Sequence, residues 1–248
     1  MEPPIFFAPS HSIHDDQIQL PANETHHACE VLRLRSGALV IVVDGLGTAY
    51  RGELKIESTK SAMVSVHAHI RNFGEPDCRL TLAAGLSVGF KFDEVVDKGT
   101  QLGVSRFVPL ITEKSKVKLE DARRIALKTA RLEKVALAAM KQCRRSLRPE
   151  IATPTTFAQY LSQIDRDSFK LIFHPTEGAR ALADVFPSEI PKRVTLMVGP
   201  EAGFSAGEVN RASAKGFTSV SLGPRVLRTE TAGAVVCALV MAHFGELR

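Results

Sequence analysis

The sequence predicts an α/β fold in which a parallel β-sheet with helices on both sides follows a small β-domain. Three observations predict it. From about residue 79 onward, strand-like and helix-like segments alternate, which is typical of a parallel sheet. Three of the later strands are continuous apolar runs, as strands buried on both faces require. The first third instead carries three strand-like segments joined by short polar turns, which favours a small barrel or sandwich.

The first third is predicted in chain order as one short helix and three strands, over 26–32, Leu39–Val43, 50–56 and 63–70. The strands are predicted from partial alternation and β-branched side chains. Residues 72–76, with asparagine, glycine and proline, are typical of a linker. We therefore expect domains over residues 1–73 and 74–248.

The remainder is predicted as alternating elements. Strands are expected over 79–86, 106–111, 170–173, Arg193–Val198 and 218–222, and helices over 92–102, 120–145, 157–164 and 229–244. A further helix is expected to begin at Ser205, because S-x-x-E is a capping box, and to end near Gly216.

Composition sets broad limits on function. The chain has 248 residues, 44% hydrophobic content and a net charge of +5, with a pI of about 9.1. This charge is compatible with a polyanionic partner or with ordinary solubility. The cysteines are widely spaced, which predicts reduced thiols in a cytosolic protein and neither zinc nor a disulfide framework. The N-terminal residues do not resemble a signal peptide, and residues 232–242 are too few to span a membrane.

Several common sites are absent from the sequence. It contains no P-loop, no G-x-G-x-x-G and no G-x-S-x-G motif, so the usual nucleotide folds and serine hydrolases are not indicated. The pairs His26–His27 and His67/His69 have no partners at metal-ligand spacing. We expect no metal site.

Two loops carry the most specific residues of the chain. The apolar run ending at Val198 leads into GPEAGFSAGE, and the run ending at Leu222 leads into GPRVLRTETA. Glycine and proline make stiff, tight turns, and ligands favour the carboxyl ends of strands in open α/β sheets. The loops also contain four charged residues that suggest polar recognition, Glu201, Arg225, Arg228 and Glu230. We expect these loops to hold a small ligand.

The helix predicted over 120–145 and the residues after it are strongly basic. Arg124, Lys128 and Arg131 share one helical stripe, which could neutralise RNA phosphates. A solvated helix face is the alternative interpretation.

These residues resemble a known family. HACEVLRLRSG, DEVVDKGTQLGV, QCRR and the two glycine loops are similar to blocks of the bacterial 16S rRNA uridine-N3 methyltransferases of the SPOUT, or trefoil-knot, superfamily. The chain departs from the family pattern at Ser87–Lys91, Gln101, Lys141 and Cys143.

The resemblance implies a knotted parallel-sheet methyltransferase domain preceded by a small PUA-like β-barrel that binds RNA. It implies the cofactor S-adenosylmethionine, a cytoplasmic homodimer, and 16S rRNA or the small ribosomal subunit as partner. Two alternatives remain open at this point: a SPOUT methyltransferase acting on tRNA or 23S rRNA, and a non-catalytic RNA-binding ribosome-assembly factor.

The resemblance and the charged loops together give the expected site. Arg228, Glu230 and Glu201 are the candidate catalytic residues. The expected cofactor contacts are Leu171, Phe173, His174, Met197, Gly199, Pro200, Glu201, Gly203, Leu222, Gly223, Leu227, Arg228, Thr231 and Ala232. The expected RNA contacts are Arg33, Arg35, Arg124, Lys128, Arg131, Arg144, Arg145 and Arg225.

Overall fold

The structure is a computed structural model that describes residues 2–86, 91–116, 121–164, 167–174 and 178–247. The Ser87–Phe90 part of the predicted family turn and the predicted helix start at Glu120 lie outside these residues. The chain divides into two compact units. One comprises Met1–Glu75 with Leu137–Arg148, and the other comprises Pro76–Ala136 with Pro149–Arg248.

The N-terminal unit is built on a curled half-barrel of six strands. The strands are β1 (Ile5–Phe7), β2 (Ile13–His14), β3 (Gln17–Gln19), β4 (Leu39–Val43), β5 (Thr48–Ser58) and β6 (Ser61–Arg71), in the order β1-β4-β5-β6-β3-β2. Helix α1 (Ala22–His26) continues into a π-helical turn over His27–Val31. The side chains of Phe6, Ile18, Val40, Leu54 and Val64 fill the core beneath them.

The segment Leu137–Arg148 belongs to this unit because it packs on the half-barrel. Met140 is buried with Ile41 and Val43. The buried Arg145 guanidinium donates to Glu75 at 2.7 Å, and Glu75 also accepts the backbone N–H groups of Ser146 and Leu147. This carboxylate therefore ties the returning segment to the end of the first one.

The C-terminal unit contains an eight-stranded sheet in which every pairing is parallel. Its strands are β7 (Arg79–Gly85), β8 (Val104–Ile111), β9 (Glu150–Ile151), β10 (Thr155–Thr156), β11 (Phe169–Phe173), β12 (Arg180–Ala181), β13 (Arg193–Val198) and β14 (Thr218–Ser221). The order is β10-β8-β7-β13-β11-β14-β12, with β9 paired to β8.

Helices cover both faces of this sheet, as predicted. They are α2 (Lys91–Gln101), α3 (Ala122–Gln142), α4 (Phe157–Ser162), α5 (Ala206–Ala214) and α6 (Thr229–His243). Successive strand residues point to opposite faces. Leu196 accordingly packs with α2, α3 and α6 on one face, while Met197 packs with α4 and α5 on the other. A sheet buried on both sides explains why its strands read as continuous apolar runs.

Most predicted elements are confirmed, several at their predicted ends. The capping box of α5 is confirmed, with Ser205 as N-cap, and Gly216 has the positive φ of a glycine that ends a helix. The predicted end of α3 near Arg145 is wrong. The helix stops at Gln142, because Arg144 adopts a left-handed conformation with φ 64°. Within the described residues, no helix is long and apolar enough to cross a membrane.

Candidate active site

A cavity of about 270 Å³ lies at the carboxyl edge of the parallel sheet. It forms where β11, β13 and β14 end, and its walls include Phe173, Val198 and Val220 from those strands. Parallel strands bring their carboxyl ends to one edge, so the two predicted glycine loops meet here. Most of its lining is apolar, as in typical small-molecule sites.

The first glycine loop contains close backbone approaches that only glycine permits. A Cβ on Gly85, at the end of β7, would lie 2.3 Å from the backbone nitrogen of Pro200. A Cβ on Gly199 would lie 3.0 Å from Gly203, whose own φ is +67°. The loop therefore folds back on itself against the end of β7, and larger residues at these points would push it away.

The second glycine loop is joined to the first by one hydroxyl group. The Thr229 Oγ1 atom donates to the carbonyl oxygen of Gly199 at 3.0 Å. Thr229 is buried, lines the cavity and opens helix α6. The start of α6 is thus held against the first loop, and Arg225, Val226 and Leu227 form the outer wall of the cavity.

The candidate catalytic residues cluster around the start of α6 and the first loop. Arg228 is the exposed N-cap of α6, and it is not among the residues that line the cavity. Glu230 follows in the first helical turn, where a carboxylate is favourable. Its Oε2 atom is buried and has no hydrogen-bond partner among the described residues. Glu201 lines the cavity and forms an ion pair with Lys91 at 2.8 Å.

His174 follows β11 and forms part of the cavity wall. Its Nδ1 atom is buried and, within the described parts of the chain, has no hydrogen-bond partner. Burial lowers the pKa of this imidazole, and the positive charge of Lys114 lowers it further. The ring packs edge-on toward Phe204, with centroids 6.4 Å apart. The neutral form of the imidazole is therefore favoured in the cavity wall.

A buried carboxylate braces the end of the first loop. Glu208 is fully buried. Its Oε2 accepts from the Ser205 N–H at 2.8 Å, and its Oε1 accepts from the Glu113 N–H at 2.9 Å. Next to Glu113, the Lys114 ammonium donates to the Phe204 carbonyl at 3.0 Å. The loop after β8 thus holds the loop that carries the cavity.

The structure brings most of the expected cofactor residues together. Ten of them line the cavity: Phe173, His174, Gly199, Pro200, Glu201, Gly203, Leu222, Gly223, Leu227 and Ala232. Four do not. Leu171 and Met197 are buried inside the sheet, and Arg228 and Thr231 are exposed on or beside α6. These assignments remain predictions of cofactor contact.

The expected RNA contacts fall into different environments. Arg33, Arg35 and Arg225 are exposed, as are Arg124 and Lys128 on α3. Arg131 forms an ion pair with Asp93, and Arg144 pairs with Glu2 at 3.2 Å. Arg145 has to be removed from the set. Its side chain is 3% exposed and bound to Glu75, so it cannot reach a phosphate in this structure.

Sequence reasoning missed several residues that shape the cavity. Gly85 ends a strand without a charged or proline-containing loop, so nothing in its neighbourhood marked a close approach. Lys114 lies far from the glycine loops in sequence. Thr229 was overlooked beside Arg228 and Glu230, although a threonine at a helix start is a recognised signal. The described residues contain no cluster of His, Cys, Asp and Glu that could hold a metal ion, and all four cysteines are free.

Comparison with known proteins places this fold and cavity in a class. Residues 74–241 match the model of an RNA methyltransferase domain, and residues 20–66 match the model of an RNA methyltransferase PUA domain. The chain is therefore a PUA-containing RNA methyltransferase, and the predicted SPOUT fold class is confirmed.

Individual relatives narrow the class. Ribosomal RNA small subunit methyltransferase E from Synechocystis sp. is 30% identical over 227 residues, covering 91% of this chain and 73% of the relative. The Bacillus subtilis protein of the same name is 30% identical over 218 residues, covering 86% and 85%. The structure of Ribosomal RNA small subunit methyltransferase E from Neisseria gonorrhoeae bound to S-adenosyl methionine is 28% identical, with a TM-score of 0.86 over 98% of both chains. The chain belongs to the ribosomal RNA small subunit methyltransferase E family.

Proposed function

We propose that the chain transfers the methyl group of S-adenosylmethionine to N3 of a uridine in the 16S rRNA of the small ribosomal subunit. The observation that carries this proposal is the cavity at the carboxyl edge of the sheet, walled by both glycine loops. It occurs in a chain whose relatives are named as small subunit rRNA methyltransferases. The choice of N3 of uridine rests on the resemblance of the motifs.

The cavity suits the cofactor in size and chemistry. Its volume of about 270 Å³ is close to the lower end of small-molecule sites. Apolar walls from Phe173, Val198 and Leu227 fit an adenine ring. The His174 imidazole, which forms part of the same walls, adds a polar group. When bound, S-adenosylmethionine supplies an electrophilic methyl group.

The protein must favour the uridine anion, because N3 attacks after losing its weakly acidic proton. A nearby cation lowers the pKa of an acid. Arg228 is well placed for this role, because it is exposed between the cavity-lining residues Leu227 and Thr229 and its side chain makes no capping hydrogen bond. Arg225 on the cavity wall is the second candidate. Alignment of N3 with the methyl group is a positioning problem that the loops solve.

Glu201 and Glu230 are the two candidates for the proton acceptor. Glu201 is engaged by Lys91, which supports a bracing role for it. The buried Glu230 Oε2 has no partner in the described residues, and its neighbour Thr229 lines the cavity. A buried, unpaired acceptor is costly unless a ligand satisfies it. This contrast supports Glu230 over Glu201 as the general base.

We also propose a homodimer formed through α6. This helix is apolar around its whole circumference, apart from its first turn and its last residue, and such helices are usually buried. Leu239 is nevertheless exposed in the single chain. We place the protein in the cytoplasm because its proposed substrate, the small ribosomal subunit, is there.

The decisive experiment uses purified protein, labelled S-adenosylmethionine and small ribosomal subunits from cells lacking the enzyme. Digestion of the rRNA and mass spectrometry should reveal 3-methyluridine. If the cofactor binds but this product is absent, tRNA and 23S rRNA from the same cells become the substrates to test. If neither binding nor methylation occurs, the result favours the alternative of a non-catalytic RNA-binding factor.

A further inference from the structure

The N-terminal unit displays an apolar projection outside the methyl-transfer cavity. Val31 ends the π-helical turn and Leu32 follows it, and they are 62% and 40% exposed. Arg33 and Arg35 follow, both exposed. Within the described chain, neither arginine side chain has an ion pair or a hydrogen bond. Isolated exposed apolar residues are common, but these two adjacent ones, together with the two arginines that follow them, form a mixed apolar and cationic tip.

The tip is anchored by backbone hydrogen bonds and by packing on both sides. The Leu32 N–H donates to the His27 carbonyl and the Leu34 N–H donates to the Ala28 carbonyl, both at 2.9 Å. Ala28 is fully buried, and Leu34 packs against the core of the half-barrel. The turn is therefore anchored on both sides of its exposed residues. A contact surface that is already ordered loses less entropy on binding.

The backbone at the tip is unusual in two ways. His27–Val31 is π-helical, a geometry that often marks functional sites. Arg33 has a φ of 52°, in the left-handed region that non-glycine residues seldom occupy. Val31 and Leu32 lie between these two features and are exposed, whereas an ordinary amphipathic helix turns its apolar side chains to the core.

The charge of the tip indicates which partner it fits. Between His27 and Gly37, Glu30 is the one carboxylate against two arginines. Guanidinium groups suit phosphates and stack on bases. Apolar side chains are used as wedges against unstacked base steps. An RNA with an exposed or loosened base satisfies both the cationic and the apolar parts.

We propose that Val31 and Leu32 form a wedge that packs against bases of the substrate RNA, while Arg33 and Arg35 bind the flanking phosphates. The proposal rests on the proposed function, because it takes the substrate to be rRNA. It assigns recognition to two separable components, one apolar and independent of salt, the other ionic and dependent on it.

Salt dependence separates the two components. Binding to small ribosomal subunits from cells lacking the enzyme is measured over a range of KCl concentrations. Val31→Ser/Leu32→Ser should weaken binding about tenfold at every salt concentration, leaving the slope of log K against log salt unchanged. Arg33→Ala/Arg35→Ala should reduce that slope by about two, roughly one for each arginine. Equal affinity of the Val31→Ser/Leu32→Ser variant and the wild type would overturn the wedge.

Matched controls keep the result specific. Leu46 is 70% exposed in the turn beyond the other end of β4, so Leu46→Ser should bind like the wild type. Unchanged affinity of each variant for S-adenosylmethionine would show that the C-terminal unit is intact. Formation of 3-methyluridine by the wild type on the same subunits tests the proposed function separately. The wedge can therefore fail while the proposed function holds.

A crosslink identifies the partner directly. A p-benzoylphenylalanine group placed at position 32 should react with 16S rRNA in the bound subunit. Crosslinks to ribosomal proteins alone would mean that the tip docks on protein, and would overturn the proposal.

Discussion

Among single residues, Arg228 gives the clearest test of the proposed chemistry. It is exposed beside the cavity but does not line it, so its proposed contribution is to the uridine anion more than to cofactor affinity. Arg228→Ala should lower kcat about 100-fold, as loss of one charge-stabilising group does, with little change in the dissociation constant for S-adenosylmethionine. Single-turnover methylation and calorimetry measure the two quantities separately.

Two further variants sharpen this test. Arg228→Lys keeps the charge and should recover part of the rate. Arg79 is exposed at the amino end of β7, the edge opposite the cavity, and Arg79→Ala should leave kcat unchanged. Wild-type kcat in Arg228→Ala would remove this residue from the mechanism.

The stability of the protein should depend on pH through His174. The pKa of its imidazole lies below the usual histidine value of about 6.5, first because of burial and then because of Lys114. The unfolded chain therefore binds more protons than the folded chain between the two pKa values, so the free energy of unfolding falls as the pH drops below about 6.5. Urea unfolding of the wild type should show this fall, and His174→Gln should show a smaller one.

An independent measurement supports the assignment to this residue. NMR titration of the His174 imidazole should give a higher pKa in Lys114→Met, because one of the two causes of its depression is removed. The same pH dependence in the wild type and in His174→Gln would assign the effect to another group.

At the scale of elements, Glu208 joins the start of α5 to the loop after β8. Its two oxygens accept two backbone N–H groups in a fully buried place. In Glu208→Gln an amide NH₂ would face one of those donors, and we expect a loss of about 2–3 kcal/mol in stability. The dissociation constant for S-adenosylmethionine should rise as well, since the first glycine loop ends at this junction.

The neighbouring carboxylate is the control. Glu113 pairs with Arg211 at 2.6 Å, but both side chains are half exposed. Exposed ion pairs contribute little, so Glu113→Gln should hardly change thermal unfolding. Equal effects of Glu113→Gln and Glu208→Gln would contradict the bracing role of the buried carboxylate.

The elements also show what the sequence could and could not predict. Apolar strands such as Arg193–Val198 were predictable because burial on both faces leaves a continuous apolar run. The short strands β9, β10 and β12 have two residues each, and neighbouring strands impose them where no local pattern exists. The end of α3 depends on a left-handed Arg144, a conformation usually marked by glycine.

The residues of the candidate site also divide into those that the sequence predicts and those that it does not. The two glycine loops were predictable as a ligand site, because glycine, proline and charged residues occur together after apolar strands. Gly85 and Lys114 contact the first glycine loop only in the folded chain. The order of strands in the sheet places Gly85 there, and the loop after β8 places Lys114 there. Such contacts between residues distant in sequence are fixed by topology, which local spacing does not encode.

At the scale of the whole molecule, a buried ion pair joins the two chain segments that make up the N-terminal unit. Glu75 accepts from Arg145, Ser146 and Leu147 at the place where the chain enters and leaves the N-terminal unit. Glu75→Ala leaves a buried guanidinium without its partner, which costs about 3–5 kcal/mol. Denaturant unfolding should show this loss, whereas Glu2→Ala, which removes the exposed partner of Arg144, should cost less than about 1 kcal/mol. A small effect of Glu75→Ala would mean that the other contacts of the returning segment, among them the Lys141–Glu24 ion pair and the packing of Met140, hold it in place.

The exposed side of helix α6 makes the proposed association of two chains testable. Helix α6 buries Val236, Cys237 and Val240 against its own sheet, yet Leu239 remains 45% exposed on its other side. A second chain would cover that side, because removing apolar surface from water is favourable. Leu239→Asp places a charge there and should convert a dimer to a monomer in sedimentation analysis. Leu247 is 42% exposed beyond the end of the helix, and Leu247→Asp should remain dimeric. A dimer that persists in Leu239→Asp would move the interface away from this helix.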